Sequence, residues 1–261
     1  MKKTLTIIGL AVATLAGAEA TVLVQDNFPT NGDLVGTTPA VGGIWTNISG
    51  TAGTLDVASN RLSILAGNNE DATSQFSSAQ TGTIFAGFSF TLTTLPTDST
   101  AGGYIASFRD GTAASGNYNG RFFVRRAAGS GANLFQVGVS NATSGVDGVG
   151  AALWGSNLTL NTTYQIVLRF DTDSGDDITL WVNPSTISST NVTSSDTGAV
   201  TSMDGFAFRQ AGATHGASSI DNLVVSTTFA EAIPEPSTWA MIGLGSAFML
   251  WNLRRKRSIN G

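Results

Sequence analysis

Apolar and polar residues alternate with a period of two through most of residues 21–225. Between Ile84 and Thr93 the pattern is clear: Ile84, Ala86, Phe88, Phe90 and Leu92 fall on one side, with Gly87, Ser89, Thr91 and Thr93 on the other. Successive side chains of an extended chain point to opposite faces, so this alternation predicts a strand with one face against a core. Comparable runs predict strands at 21–25, 61–65, 104–109, 121–125, 134–139, 163–170, 178–182, 205–208 and 220–225. No window carries a convincing amphipathic helix. The intervening clusters Arg109-Asp110-Gly111, Gly116-Asn117, Gly129-Ser130-Gly131 and Asp173-Ser174-Gly175-Asp176 are turn chemistry, because Gly, Asn and Asp accept turn dihedrals. Many short strands with this punctuation predict an all-β fold, an antiparallel β-sandwich of jelly-roll type over residues 21–229.

Both ends break the pattern. Lys2 and Lys3 precede an uncharged apolar run over 5–17, and Ala18-Glu19-Ala20 then puts small residues at Ala18 and Ala20, where signal peptidase requires them. Residues 1–20 therefore read as a secretory signal helix, because the apolar run of 13 residues over 5–17 is too short for the roughly 20 that a permanent N-terminal anchor needs. At the other end Ile233-Pro234-Glu235-Pro236-Ser237-Thr238 leads into an apolar stretch, 239–253, and then Arg254-Arg255-Lys256-Arg257. Each proline fixes its own φ and keeps its predecessor out of the helical region, so 230–238 is expected to be an extended linker. A helix over 239–253 would reach roughly 22 Å at about 1.5 Å per residue, a short transmembrane helix whose span needs bilayer thinning and snorkelling. Trp239 and Trp251 suit the interfaces, and Arg254, Arg255, Lys256 and Arg257 would hold 254–261 in the cytoplasm as a membrane stop.

In this order the three features closely resemble the PEP-CTERM sorting signal of Gram-negative envelope proteins. The resemblance implies that Pro234, Glu235, Pro236 and Ser237 are recognised by an exosortase, a membrane transpeptidase-like enzyme that cleaves near Pro-Glu-Pro. It also implies a transient inner-membrane intermediate, then a place at the cell surface or in the extracellular matrix of an organism that makes exopolysaccharide. The alternative is an ordinary C-terminal anchor. Signal peptidase, exosortase and the inner membrane are the expected processing partners.

Within the β region, the turn-flanked hairpin 164–184 with its closing Asn183-Pro184, the opening Asp26-Asn27-Phe28 with Gly42-Gly43-Ile44-Trp45, and the closing Ser219-Ile220-Asp221-Asn222-Leu223-Val224-Val225 are similar to concanavalin-like, LamG-type jelly-roll domains of such envelope proteins. That likeness implies adjacent first and last strands, a structural ion shared by Asp26 and Asp221, and a role in binding exopolysaccharide or other surface glycans or in adhesion. A purely structural envelope protein is the alternative.

Composition narrows the chemistry. Only 12% of residues are charged against 41% hydrophobic, so a core is available and the surface is covered mainly by neutral polar residues. Between Thr21 and Phe229 seven arginines face fifteen acids, a net of −8, which would repel a nucleic-acid backbone. With no cysteine and one histidine, neither a thiolate nor an imidazole zinc site can be assembled. His215 sits in a Gly- and Ala-rich loop and is expected to be exposed. Glu70 is the single glutamate between Thr21 and Phe229, whereas glycosidases need a carboxylate pair, so no catalytic residue is assigned; a polysaccharide-active enzyme would require such a pair in a cleft. Asp171, Asp173 and Asp176 around Gly175 are candidate oxygen ligands for a structural calcium, the alternative being a solvated hairpin turn. Most aromatics are expected in the core, while Tyr118 and Trp154, among Gly- and Asn-rich neighbours, are candidate sugar-stacking residues on loops. Arg121, Arg125 and Arg126 form a basic patch that either pairs with local aspartates or reads an acidic polysaccharide.

Overall fold

A computed structural model describes residues 20–111, 116–129, 133–141, 145–173, 175–196 and 198–233. In chain order the first strands are β1 (Val22–Asp26), β2 (Gly32–Asp33), β3 (Thr46–Ser49), β4 (Asp56–Val57), β5 (Leu62–Ile64) and β6 (Asp71–Gln80). There follow β7 (Thr83–Leu92), β8 (Gly103–Arg109), β9 (Tyr118–Arg126), β10 (Leu134–Ser140), β11 (Ala152–Leu153) and β12 (Leu158–Thr159). The last are β13 (Thr163–Asp171), β14 (Ile178–Val182), β15 (Asn191–Thr193), β16 (Met203–Arg209) and β17 (Ser218–Ser226), and a single helical turn, α1 (Phe229–Ala232), closes the described chain.

These strands build two stacked antiparallel sheets, as the alternation predicts. Sheet A runs β15-β14-β13-β7-β17-β5-β4-β2, with β1 also on β17, and sheet B runs β11-β10-β9-β8-β16-β6-β3, with β12 also on β10. The apolar faces meet in one core. Phe88 and Phe90 of β7 reach across to Phe122 of β9 with ring centroids 5.7 and 5.6 Å apart, edge to face, and Phe88 also meets Phe208 of β16 at 6.2 Å. Edge-to-face packing sets the positive rim of one ring against the negative face of the next, which fixes register between the sheets beyond the burial itself.

The first and last strands lie side by side, with Val24 opposite Val225 and Asp26 opposite Leu223, as the likeness implies. The expected hairpin is β13–β14, with Phe170 opposite Ile178. The alternation does not reveal β6, a ten-residue strand of sequence DATSQFSSAQ. Its first four residues are buried on both faces, so small polar residues replace the alternation that one wet face would produce.

The chain does not become a free linker at residue 230. Phe229 and Ala232 pack with Phe85, Val167 and Trp181 in a second apolar cluster on the far side of sheet A, with Ile233 against it. The close approach requires Gly87, because a Cβ there would lie 1.6 Å from the carbonyl oxygen of Ala232. The signal helix apart from Ala20, the sorting motif Pro234, Glu235, Pro236 and Ser237, the transmembrane helix over 239–253, and Arg254, Arg255, Lys256 and Arg257 lie outside the described residues. Among the described residues no helix is long and apolar enough to cross a membrane.

Candidate functional site

The outer face of sheet B, turned away from the core, carries a gathering of charged and aromatic groups. Its floor is a row of small side chains in direct register: Thr73 of β6 opposite Ala207 of β16, which lies opposite Ser107 of β8. All three are at most 1% exposed, although they are on the outer side of the sheet. Longer side chains from the neighbouring positions lie over them, since strand side chains lean along the strand direction.

That upper layer contains three guanidinium groups, two phenols and one carboxylate. Arg209 stands over the ring of Tyr104 at 4.1 Å, and Arg121 approaches the same ring at 5.2 Å. Arg109 lies over Tyr118 at 4.7 Å, and the two tyrosine rings are 5.8 Å apart. Asp71 anchors the group: its Oδ2 accepts from Ser49 Oγ at 2.7 Å and from Tyr118 Oη at 3.1 Å, and its Oδ1 accepts from Gln210 N at 3.2 Å. Arg209 Nε is 3.5 Å from the same Oδ2. Tyr104, Tyr118, Arg121 and Arg209 remain half-exposed, so the layer forms part of the surface.

The electrostatics follow from crowding at low dielectric. Burial raises the pKa of Asp71 in spite of its hydrogen bonds and Arg209. Burial and the charge on Asp71 push Tyr118 up to about 12, and burial also raises Tyr104. Burial lowers Arg121, with Arg209 adding to the push while Tyr104 and Asp196 oppose it. Both phenols are therefore neutral donors at pH 7, and Arg121 keeps its charge in an environment that disfavours it.

The residues expected from sequence divide. Tyr118 belongs to this layer but opens strand β9 instead of sitting on a loop. Trp154 follows β11 and is half-buried against the main core, so it is not an exposed stacking platform. Of the expected basic patch, Arg121 joins the layer. Arg125 is spent on Gln136 Oε1, at 3.1 and 2.9 Å, and on the carbonyl of Thr100, while Arg126 donates to the carbonyl of Pro96. Tyr104, expected in the core with most aromatics, lies in this layer instead. For Arg109, Arg209 and Asp71 the sequence offers only alternation against core partners such as Phe206 and Phe208, which places Arg209 on an outer face without showing what stands beside it.

His215 is not exposed. It is fully buried, its Nε2 accepts the N–H of Ala211 at 2.8 Å, and its Nδ1 contacts the carbonyl of Gly216. Acceptance at Nε2 leaves the proton on Nδ1, so the ring is a neutral brace across its loop. Glu70 is equally enclosed: its Oε1 accepts from Asn47 Nδ2 at 3.0 Å and its Oε2 from the N–H groups of Thr54 and Leu55 at 2.6 and 2.7 Å.

The calcium candidates do not assemble. Asp171 accepts from Thr83 Oγ1 and the N–H of Asp173, whereas Asp176 is buried and accepts the N–H of Val200 at 2.9 Å. Asp176 Oδ1 has no hydrogen bond among the described residues, the one feature here that suits a cation. Asp26 turns inward and accepts from the N–H of Phe28 at 2.7 Å and from Trp45 Nε1 at 2.8 Å. Asp221, on the adjacent strand, instead lies 3.9 Å from Arg61. Among the described residues no group of three or more His, Cys, Asp or Glu side chains could hold a metal ion. A cavity of ≈ 380 Å³ lies at the foot of α1, lined by Gln25, Asn27, Asn222 and Glu231 among others. It contains no aromatic or cationic side chain and is separate from the layer on sheet B.

The fold and this surface define an antiparallel jelly-roll sandwich with a cationic, aromatic patch on one sheet. Residues 232–256 match the model of the PEP-CTERM protein-sorting motif, a signal of exported proteins of Gram-negative bacteria that are sorted through the membrane to the cell surface. Among solved structures, the endo-β-1,4-glucuronan lyase of the fungus Trichoderma reesei is similar at 12% identity and a TM-score of 0.45, covering 79% of this chain and 98% of its own. The Emp47p carbohydrate recognition domain is similar at 11% and 0.42, over 78% and 97%. The exoplasmic/lumenal domain of VIP36, in a Ca2+/Man-bound form, follows at 12% and 0.42, over 74% and 85%. No curated protein matches the chain.

Proposed function

We propose that the chain is an exosortase-sorted envelope protein whose jelly-roll domain binds glycan through the outer face of sheet B and carries out no reaction on it. The sorting motif over 232–256 supports delivery to the surface. The observation that carries the binding reading is the half-exposed layer of Tyr104, Tyr118, Arg121 and Arg209, mounted on rigid strands over a floor of small residues. Convergent polar groups beside aromatic rings, pre-positioned by packing, are what recognition of a polyhydroxylated ligand requires.

The reading as a binder instead of an enzyme is supported by the state of the proton-handling groups. A general acid or base works best with a pKa near the operating pH and access to substrate. His215 and Glu70 are fully buried and already hydrogen-bonded, and Tyr118 is held protonated up to about 12.

The test is a glycan array probed with the exported protein. Reproducible signals that fall at least tenfold in Tyr104→Ala and Tyr118→Ala, with Trp154→Ala unchanged, are expected. A blank array would favour a structural envelope protein without a small ligand.

A further inference from the structure

Resting on the glycan-binding reading, we infer that the ligand is an anionic saccharide that bears carboxylates, a uronate-containing polysaccharide, held by the guanidinium groups of Arg209 and Arg121 above Tyr104. A neutral sugar usually gains its affinity by lying flat on an open aromatic face. Here the face of Tyr104 is already occupied, with Arg209 at 4.1 Å and Arg121 at 5.2 Å, and Arg109 lies over Tyr118 at 4.7 Å. Arg109 is buried and Tyr118 Oη already donates to Asp71, so what the patch offers outward is chiefly the N–H donors of Arg209. Stacked on the ring, the guanidinium of Arg209 can turn its terminal nitrogens to planar, bidentate hydrogen bonding, the geometry that matches a carboxylate.

The charge balance agrees. The carboxylates bearing on the patch are Asp71 and Asp196, against Arg109, Arg121 and Arg209. Arg209 meets Asp71 through Nε alone, at 3.5 Å, and among the described residues its two terminal nitrogens make no hydrogen bond. Its side chain is 30% exposed, so those nitrogens can be reached. Arg209 also disfavours the charge on Arg121. An anion beside both groups would ease that repulsion. This local surplus of positive charge stands in a domain whose net charge is −8 between Thr21 and Phe229, seven arginines against fifteen acids. That wider field works more strongly against a densely charged polyanion such as nucleic acid than against a ligand with one charge per sugar.

The experiment titrates the exported protein by calorimetry with a galacturonate oligosaccharide and with the same oligosaccharide after carboxyl reduction, using dextran sulfate and duplex DNA as further polyanions. Binding of the uronate, at least tenfold weaker for the reduced form, is expected. Arg209→Lys keeps the charge but loses the fork, and it should weaken uronate binding about tenfold while leaving any dextran sulfate binding in place. Arg121→Gln serves as a second variant should Arg209→Lys disturb the fold, which near-ultraviolet circular dichroism reports. Equal binding of the uronate and its reduced form would overturn the anionic class and leave glycan binding standing. Equal binding of all polyanions, insensitive to Arg209→Lys, would overturn carboxylate recognition in favour of simple charge attraction. Absence of binding to either oligosaccharide, together with a blank array, would remove the glycan reading as well.

Discussion

Glu70 and His215 show how single buried groups tie this fold to pH. Burial alone would raise the pKa of Glu70, but the hydrogen bonds from Asn47 and from the N–H groups of Thr54 and Leu55 outweigh it, and the net shift is downward from 4.5. A carboxyl with a depressed folded pKa contributes stability above its unfolded value and loses it as the pH falls through the folded one. His215 is lowered from 6.5, chiefly by burial, with Arg209 assisting and the Gly216 contact opposing. Its unfolded form takes up a proton near pH 6.5 while the folded form resists, so stability is lost as the pH drops below 6.5. Asp71 is raised from 3.8, chiefly by burial, and works in the opposite sense, its charged form costing stability as the pH rises from 3.8 through its folded value. Urea unfolding should therefore show stability falling between pH 7 and 5.5. His215→Gln, about 1–2 kcal/mol weaker at pH 7 through imperfect replacement of its two contacts, should lack that slope, and an unchanged slope in the variant would exclude His215 as its source. None of this was legible in the sequence, where a lone histidine among glycines and alanines looks like an exposed loop residue. Its burial arises because both ring nitrogens find backbone partners within its own loop.

At the level of elements, the sequence was most informative where one face of a strand is dry and the other wet. Strand β7 starts one residue before the expected Ile84, and β14 matches the expected 178–182. Strand β6 was missed because its outer face is covered by the Arg and Tyr layer and both faces use small or polar side chains. The site was missed for a related reason. Alternation assigns Arg209 and Tyr104 to outward faces, but their juxtaposition depends on strand order and on irregularities in the β8–β9 pairing. Helix α1 is too short for any helical period to be seen, and its docking depends on the absence of a side chain at Gly87. Gly87→Ala should displace α1 without straining β7. Trp181, whose ring is 5.2 Å from Phe229 and which is 2% exposed, should then gain solvent contact. A red shift of its fluorescence and a loss of about 2 kcal/mol are expected, and native emission in the variant would show that α1 does not cover Trp181.

For the molecule as a whole, the described contacts close on themselves between the two ends of the domain. Strand β1 begins at Val22, and just ahead of it Thr21 N donates to Thr227 Oγ1 at 3.1 Å while Thr227 N donates to the carbonyl of Thr21 at 3.0 Å. At the other end α1 stops at Ala232, with Ile233 packed against its cluster. The expected signal-peptidase cut after Ala20 falls just outside that boundary, and so does an exosortase cut near Pro236. A new amino terminus at Thr21 can still donate the hydrogen bond that its peptide N–H makes now. Cleavage at both points would remove the apolar sequences 5–17 and 239–253 from the released protein. The domain should therefore melt at the same temperature with or without its tail. Intact-mass measurement of protein released from the cell surface should give a chain that starts at Thr21 and ends before Trp239. Recovery of the 239–253 peptide in that released fraction would show that the tail is not removed by processing.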